Sequence, residues 1–268
     1  MAEDNRADAI IGRYERDKNE GSRLSSEKSR RVEFLTTTHI MERYLEPQSM
    51  ILDIGAGTGC YSFHYAKLGH RVVARDLVPL HVEQMRADPL CSQFQVDTGV
   101  GDAQNLSEFP DGTFDAVLCL GPIYHIGDED GRRKCITECL RVVKVGGILA
   151  VAYISKFFVY VHLVRQRRDY LADERLDEIM DKQIAMSHDP DEVWFFDSPQ
   201  EIEQFLSQFK VDKLAHAGTD GISILAADMV NSFSDEEYDQ WLKYHFRTCE
   251  EPSIIGYSNH ALFVCRKN

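Results

Sequence analysis

Residues 50–62 read Met50-Ile51-Leu52-Asp53-Ile54-Gly55-Ala56-Gly57-Thr58-Gly59-Cys60-Tyr61-Ser62. An apolar run ends in an acid, Asp53, and glycines follow at positions 55, 57 and 59. A helical pattern then begins. A buried strand, a glycine turn and a helix N-terminus together let backbone approach a polar ligand closely. The spacing narrows the ligand. The dinucleotide fingerprint G-x-G-x-x-G sets its last glycine one residue later than Gly59. Here the pattern is D-x-G-x-G-x-G. An acid two residues before the first glycine disfavours a pyrophosphate and suits a ligand with a positive amino group.

Outward from this run, strand and helix patterns alternate. Strands are expected at 50–54, 70–75, 94–99, 114–120 and 146–153, with helices at about 58–68, 79–88, 104–108 and 129–143. Such alternation implies a parallel sheet with helices on both faces. Ligands of these sheets bind beyond the carboxyl ends of the strands, where the strand order reverses. Asp53, Asp76, Asp102 and Leu120 all fall at or just past strand ends, on one rim. After Val151 the alternation stops. Residues 155–208 read mostly as helices (Lys156–Tyr170, Asp173–Met186, Pro199–Phe209), with the aromatic run Glu192-Val193-Trp194-Phe195-Phe196 between the last two. Val211–His216 and Ala261–Arg266 complete the strands, with helices at about 222–231 and 234–248 between them. Residues 1–46 are charged and helical, with Val32, Leu35, Ile40, Met41 and Leu45 as an apolar stripe. The expected organisation is an N-terminal helical segment (1–46), a ligand-binding core (47–154), a helical cap insertion (155–208) and the C-terminal part of the core sheet (209–268).

The glycine run resembles the first motif of the class I S-adenosylmethionine-dependent methyltransferases. Four later segments arrive in that family's order and spacing. They are Arg71-Val72-Val73-Ala74-Arg75-Asp76, Gly101-Asp102-Ala103-Gln104, Phe114-Asp115-Ala116-Val117-Leu118-Cys119-Leu120 with Gly121-Pro122-Ile123-Tyr124-His125, and Leu140–Leu149 around Gly146-Gly147. The resemblance covers roughly residues 48–154. It implies a Rossmann-like three-layer α/β sandwich with a seven-stranded, mainly parallel sheet, and S-adenosyl-L-methionine as cofactor, released as S-adenosyl-L-homocysteine. It further implies that Asp53 and the loop Gly55, Ala56, Gly57 and Gly59 hold the methionine end. Asp76 would accept from the ribose hydroxyls, Leu77 would pack on adenine, and Asp102 with the Ala103 amide would read its edge. Leu120 would offer its carbonyl to the methionine amine. In many relatives the N-terminal segment folds over the cofactor, which would bring Tyr14, Arg23 and Leu24 to the site.

The segment Gly121-Pro122-Ile123-Tyr124-His125 departs from the Asn/Asp-Pro-Pro-aromatic run of amino-methylating nucleic-acid enzymes. It lacks the acid or amide and the second proline. That argues against base N-methylation. It resembles the loop of small-molecule methyltransferases, in which Tyr124 and His125 face the transferred methyl. A histidine is the default base near neutral pH. His125 is the first candidate, and His260, close to Tyr257, the second. Trp194 and Phe196 are candidates for an apolar substrate wall, as is His260 for substrate contact. His39, His64, His70 and His81 are expected to be structural.

Composition sets outer limits. The chain has 268 residues, 43% of them hydrophobic, with 44 acidic against 30 basic residues and a formal charge of −14. A nucleic-acid grip usually shows a basic face, so nucleic acid is not the expected partner; Arg30 and Arg31, or Arg165 to Arg168, would carry an RNA alternative. Apolar runs are too short for a membrane span, and the charged start lacks a secretory pattern, so a cytoplasmic monomer or homodimer is expected. The seven cysteines lack paired zinc spacing, and no metal is expected, although Cys135 and Cys139 lie one helical turn apart. The expected function is methyl transfer to an oxygen or nitrogen of a small molecule. The rivals are an RNA methyltransferase, a cofactor-binding sensor or inactive subunit, and a nucleotide-dependent dehydrogenase.

Overall fold

The computed structural model describes residues 2–16, 20–186 and 193–268. Glu192 of the aromatic run therefore lies outside the described residues. The helices are α1 (Ala2–Arg16), α2 (Lys28–Met41), α3 (Cys60–Lys67), α4 (Pro79–Ala87), α5 (Pro89–Phe94), α6 (Glu129–Val142), α7 (Lys156–Gln166), α8 (Glu174–Lys182), α9 (Pro199–Leu206), α10 (Ala227–Ser232) and α11 (Asp235–Thr248). The strands are β1 (Met50–Ile54), β2 (Arg71–Asp76), β3 (Asp97–Val100), β4 (Phe114–Cys119), β5 (Val143–Ile154), β6 (Ile184–Met186), β7 (Val193–Phe195), β8 (Val211–Gly218) and β9 (His260–Lys267).

Seven strands form one sheet in the order β3-β2-β1-β4-β5-β9-β8. The pairs from β3 through β5 are parallel, while β9 runs antiparallel to both β5 and β8. This is the expected seven-stranded, mainly parallel Rossmann-like sandwich. Chain order reverses between β1 and β4, so the loops leaving those strands diverge and open a crevice at the carboxyl rim.

Successive strand residues feed opposite layers. Leu52, Ile54, Val117, Cys119, Leu149 and Val151 face α6 and α9, packing with Ile136, Cys139, Ile202 and Phe205. Ile51, Val72, Ala74, Ala116, Leu118 and Ala150 face the other side, against Ile40 and Met41 of α2, Tyr65 of α3 and Met85 of α4. The strands are buried on both faces, which is why they read as continuous apolar runs rather than as alternation.

The helix expected from about 222 begins only at Ala227, after a turn, and three further local expectations differ from the structure. Residues 104–108 form turns, not a helix: the Asp102 carboxylate accepts from the Gln104 amide at 3.0 Å and Glu138 accepts from the Leu106 amide at 2.8 Å. Side chains thus take the amides a helix would use. The start of the expected strand at 94 belongs to α5, which is capped by Asp88 and ended by Gln95 in the left-handed region. The 155–208 block is less helical than expected. α8 stops at Lys182, Gln183 is left-handed, and β6 and β7 pair as an antiparallel ladder.

That ladder is tied down by buried charge. Arg132 of α6 pairs with Asp197 at 2.5 Å, and its guanidinium lies 3.7 Å from the Phe195 ring centroid and 4.7 Å from that of Phe205. Lys156 donates to Glu201 at 2.7 Å, and the capping box of Ser198 and Glu201 starts α9 beside it. No helix among the described residues is long and apolar enough to cross a membrane.

Candidate active site

One cavity sits at the reversal point of the sheet. The loops after β1, β2 and β4, the turn after β3 and the N-terminal segment line it. At the end of β1, Asp53 is buried and its Oδ2 accepts from the Ser62 hydroxyl at 2.6 Å. Burial pushes its carboxyl up to about 7; the Ser62 hydrogen bond opposes the shift and the charge of Asp76 adds to it. A cation beside Asp53 would relieve that burial cost.

The glycine loop explains its own composition. Gly55 has φ +77°, and a Cβ there would lie 2.7 Å from ring carbons of Pro122. Gly57 has φ +56°, and a Cβ there would meet nothing within 4 Å. The first glycine lets the β1 and β4 loops close on each other, and the second leaves space above the loop for a ligand. At the end of β2, Asp76 Oδ2 accepts from the Gly57 amide at 2.7 Å. Its Oδ1 accepts from the Val78 amide at 2.8 Å and lies 3.1 Å from His81 Nδ1. Both oxygens are thereby aimed, and Oδ2, with one partner, keeps a lone pair for a further donor.

The opposite wall joins distant parts of the chain. Arg6 of α1 pairs with Asp102 Oδ2. The Tyr14 hydroxyl and His125 Nε2 are hydrogen-bonded at 2.8 Å. Tyr124 donates to the Leu120 carbonyl at 3.3 Å, its ring stacked 6.1 Å from Trp194. His125 lies 4.5 Å from Trp194, and the Arg13 guanidinium covers the indole at 4.5 Å. Burial, then the charges of Arg13 and Arg6, push His125 down to about 3. At neutral pH it is uncharged, and a weak driver of proton removal.

Of the residues singled out from the sequence, Asp53, Gly55, Ala56, Gly57, Asp76, Leu77, Asp102, Ala103, Leu120, Tyr124 and His125 line this cavity, with Tyr14, Arg23 and Leu24. Gly59 caps α3 just outside it. Trp194 backs the rings of Tyr124 and His125 rather than lining the cavity, and Phe196 is packed into the core. His260 sits behind Tyr124, with ring centroids 6.2 Å apart. The lining residues that had not been singled out for the site include Arg6, Ile10, Ser25, Tyr61 and His81. For His81 a signal existed, since it stands five residues after the strand-end acid, in the first turn of the next helix.

Among the described residues, two groups of three potential metal ligands come together: Cys119, Cys135 and Cys139, and Glu33, Asp220 and His260. The thiols lie in the apolar core, where binding an ion would strip protons from three fully buried groups. In the second group, Glu33 is already met by Arg23, with contacts of 2.7 and 3.3 Å. Arg23 thus supplies part of the positive charge a metal would bring.

Comparison with known proteins places this geometry. Residues 51–147 match the sequence profile of a methyltransferase domain. The ubiquinone biosynthesis O-methyltransferase of Xanthomonas campestris pv. campestris is 33% identical over 118 residues, 44% of this chain and 48% of that one. The corresponding protein of Xanthomonas oryzae pv. oryzae is 36% identical over 106 residues, 40% and 43% of the two chains. This chain thus spans about half the length of the curated relatives it matches. Among solved structures, a Pyrococcus horikoshii protein aligns with a TM-score of 0.60 at 18% identity, covering 96% of this chain and 99% of that one. A Methanosarcina mazei S-adenosylmethionine-dependent methyltransferase gives 0.58 at 19% identity, covering 85% and 96%. Both share the fold.

Proposed function

From the premise that this chain carries a class I S-adenosylmethionine-dependent methyltransferase domain, we propose that it methylates an oxygen or nitrogen of a small molecule. The observation that carries the proposal is the continuity of one cavity, from the acid-lined glycine loop to the rings of Tyr14, Tyr124 and His125. S-adenosylmethionine supplies a methyl group already activated on a positive sulfur.

The chain's residues have the remaining tasks. Asp53 favours the positive methionine end, and the Leu120 carbonyl accepts from its amine. Asp76 holds the ribose hydroxyls; each charge-assisted hydrogen bond contributes about 1.5–3 kcal/mol. Leu77 packs against adenine, and Asp102 with the Ala103 amide reads its edge. Arg6 engages Asp102, so this pair opens or shares its oxygens when adenine enters. Tyr124 and His125 position the acceptor, Trp194 stiffens them from behind, and α1 closes the cavity against water. Alignment and dehydration are most of what such a displacement requires.

Two features support a small acceptor. Several basic residues that would serve RNA are paired within the chain: Arg30 approaches Glu27, Arg165 approaches Asp228, and Arg167 pairs with Asp169. The Xanthomonas relatives are named for O-methylation in ubiquinone biosynthesis. The test is calorimetric titration with S-adenosylhomocysteine, followed by label transfer into separated small-molecule and RNA pools. Tight binding with label in small molecules is expected. Label in RNA that disappears in an Arg30→Glu, Arg31→Glu double variant overturns the acceptor class.

A further inference from the structure

We propose that Arg6 selects the acceptor: when adenine takes Asp102, the Arg6 guanidinium turns to an anionic group, a carboxylate or a phosphate, carried by the small molecule. The inference rests on the small-molecule reading above and specifies the chemical class of its acceptor.

Charge is spread unevenly over the cavity. Among its described lining residues the carboxylates are Asp53, Asp76 and Asp102, and all three stand on the wall proposed for the cofactor. The guanidiniums are Arg6 and Arg23. Arg23 donates at 2.7 Å to Glu33, which does not line the cavity. Arg6 is held differently. Its one carboxylate partner among the described residues is Asp102, a cavity residue that it meets through a terminal nitrogen. Its Nε is sealed from water and has no hydrogen-bond partner, and its side chain is only 19% exposed.

Adenine and Arg6 meet at the same carboxylate. Asp102 Oδ1 accepts from the Gln104 amide at 3.0 Å, and Oδ2 accepts from Arg6. An adenine amine that enters here meets two donors already in place, one on the backbone and one on a side chain. The side chain is the one that can move. A largely buried guanidinium that gives up its carboxylate is costly to leave unpaired.

The surroundings of Arg6 show where its charge can go. Arg6 and Arg13 both lie close enough to His125 to add to the effect of burial on that imidazole, which is uncharged at neutral pH. Arg13 covers the Trp194 indole that backs His125. Ile10, Tyr14, Tyr124 and His125 line this half of the cavity and add no carboxylate to it. An anion on the acceptor restores the balance that adenine removes. The chain as a whole carries −14, so an anion needs a local cation to be admitted. The planar guanidinium fork matches a carboxylate or a phosphate. Arg6 thus positions the acceptor and takes no part in bond making. Adenine on Asp102 and an anion on Arg6 favour each other, and by linkage each tightens the other by the same factor.

The test compares wild type, Arg6→Gln and Arg6→Lys, with benzoate and phenyl phosphate as anionic probes and benzamide as the neutral one. Calorimetry measures each probe on the protein alone and on its S-adenosylhomocysteine complex, with the fold followed by circular dichroism. Expected is anion binding about tenfold tighter on the complex, with S-adenosylhomocysteine tightened equally by that anion. A preference for benzoate assigns a carboxylate, and a preference for phenyl phosphate assigns a phosphate. In Arg6→Gln the anion should weaken about 10- to 100-fold and the coupling should vanish. Benzamide should be unchanged, and S-adenosylhomocysteine should bind at least as tightly as to wild type. Arg6→Lys should keep part of the anion binding; with the wild-type coupling, it decides the matter where Arg6→Gln fails to fold. In parallel, the small molecules of a cell extract are split by anion exchange before label transfer from methyl-tritiated S-adenosylmethionine, and the acceptor is expected in the retained fraction. The inference is overturned by anion binding equal in wild type and Arg6→Gln, or by neither anion binding the complex. It is equally overturned by S-adenosylhomocysteine affinity that falls in both folded variants, or by an acceptor confined to the unretained fraction. Label confined to RNA overturns the small-molecule reading instead.

Discussion

The two walls of the cavity are built in opposite ways. The wall proposed to hold the cofactor is nearly continuous in sequence: Asp53 to Thr58, Asp76 to Val78, and Gly101 to Ala103, each at the end of a parallel strand. Its key contacts run through backbone, as where the Gly57 and Val78 amides meet Asp76. The wall proposed to meet the acceptor gathers Arg6 and Tyr14 from α1 with Tyr124 and His125 after β4, and Trp194 from β7 backs the last two. It is held by side chains far apart in the chain. The first wall follows from the topology of the sheet; the second depends on how an N-terminal helix and an inserted hairpin dock onto it. The cofactor can therefore be read from local pattern, while the acceptor is a property of tertiary assembly.

The sharpest way to break this contrast is at Asp76. Asp76→Ala removes the acceptor for two loop amides and, as proposed, for the ribose. S-adenosylhomocysteine affinity should fall at least about 100-fold, roughly two charge-assisted hydrogen bonds, with secondary structure unchanged by circular dichroism. A change under threefold by titration calorimetry would show that the loop does not depend on its acid.

Arg132 provides the next test, on the other side of the comparison. Arg132→Met leaves Asp197 buried and unpaired, and breaking one partner of such a pair costs about 3–5 kcal/mol. Burial already pushes Asp197 up to about 6, against the opposing charge of Arg132. Thermal unfolding should shift down by several degrees while S-adenosylhomocysteine affinity stays near wild type. Equal loss of both would mean that cap and cofactor wall form one unit.

A pH titration sharpens the cofactor wall further. With Asp53 pushed up to about 7, the free protein holds a proton there below neutrality, whereas a bound cation favours the carboxylate. S-adenosylhomocysteine affinity should rise up to about tenfold per pH unit below 7 and level off above it. The same shift acts on stability with the opposite sense: the fold holds this proton better than the unfolded chain, so the contribution of Asp53 declines as pH rises from about 4 to 7. Asp53→Asn should bind more weakly and with no pH step in this range. The smallest effect is expected for Tyr14→Phe. It removes one hydrogen bond to His125, worth about 1 kcal/mol, and should lower kcat/KM about fivefold and the melting temperature by no more than about 4 °C.

The same contrast governs what was legible in the sequence. The sheet, its strand-end acids and the glycine loop were readable because each is a short run with its own periodicity or spacing. The turn at 104–108 was not, because Glu138, more than thirty residues away, supplies a partner for it. The hairpin of β6 and β7 was hidden in a block with helical spacing. His81 was set aside as structural although it faces Asp76. His125 carried the residue type of a base, but its own burial and two arginines from α1 keep it uncharged and weakly basic. Phe196 looked like a pocket wall and is packed into the core.

The central claim is methyl transfer to a small molecule, and its most direct measurement is label transfer. The protein is incubated with methyl-tritiated S-adenosylmethionine and a cell extract, which is then separated into small-molecule, RNA and protein pools. The account predicts counts in the small-molecule pool, abolished in Asp76→Ala. Counts confined to RNA or protein, or none in any pool from a protein that binds S-adenosylhomocysteine tightly, would contradict it.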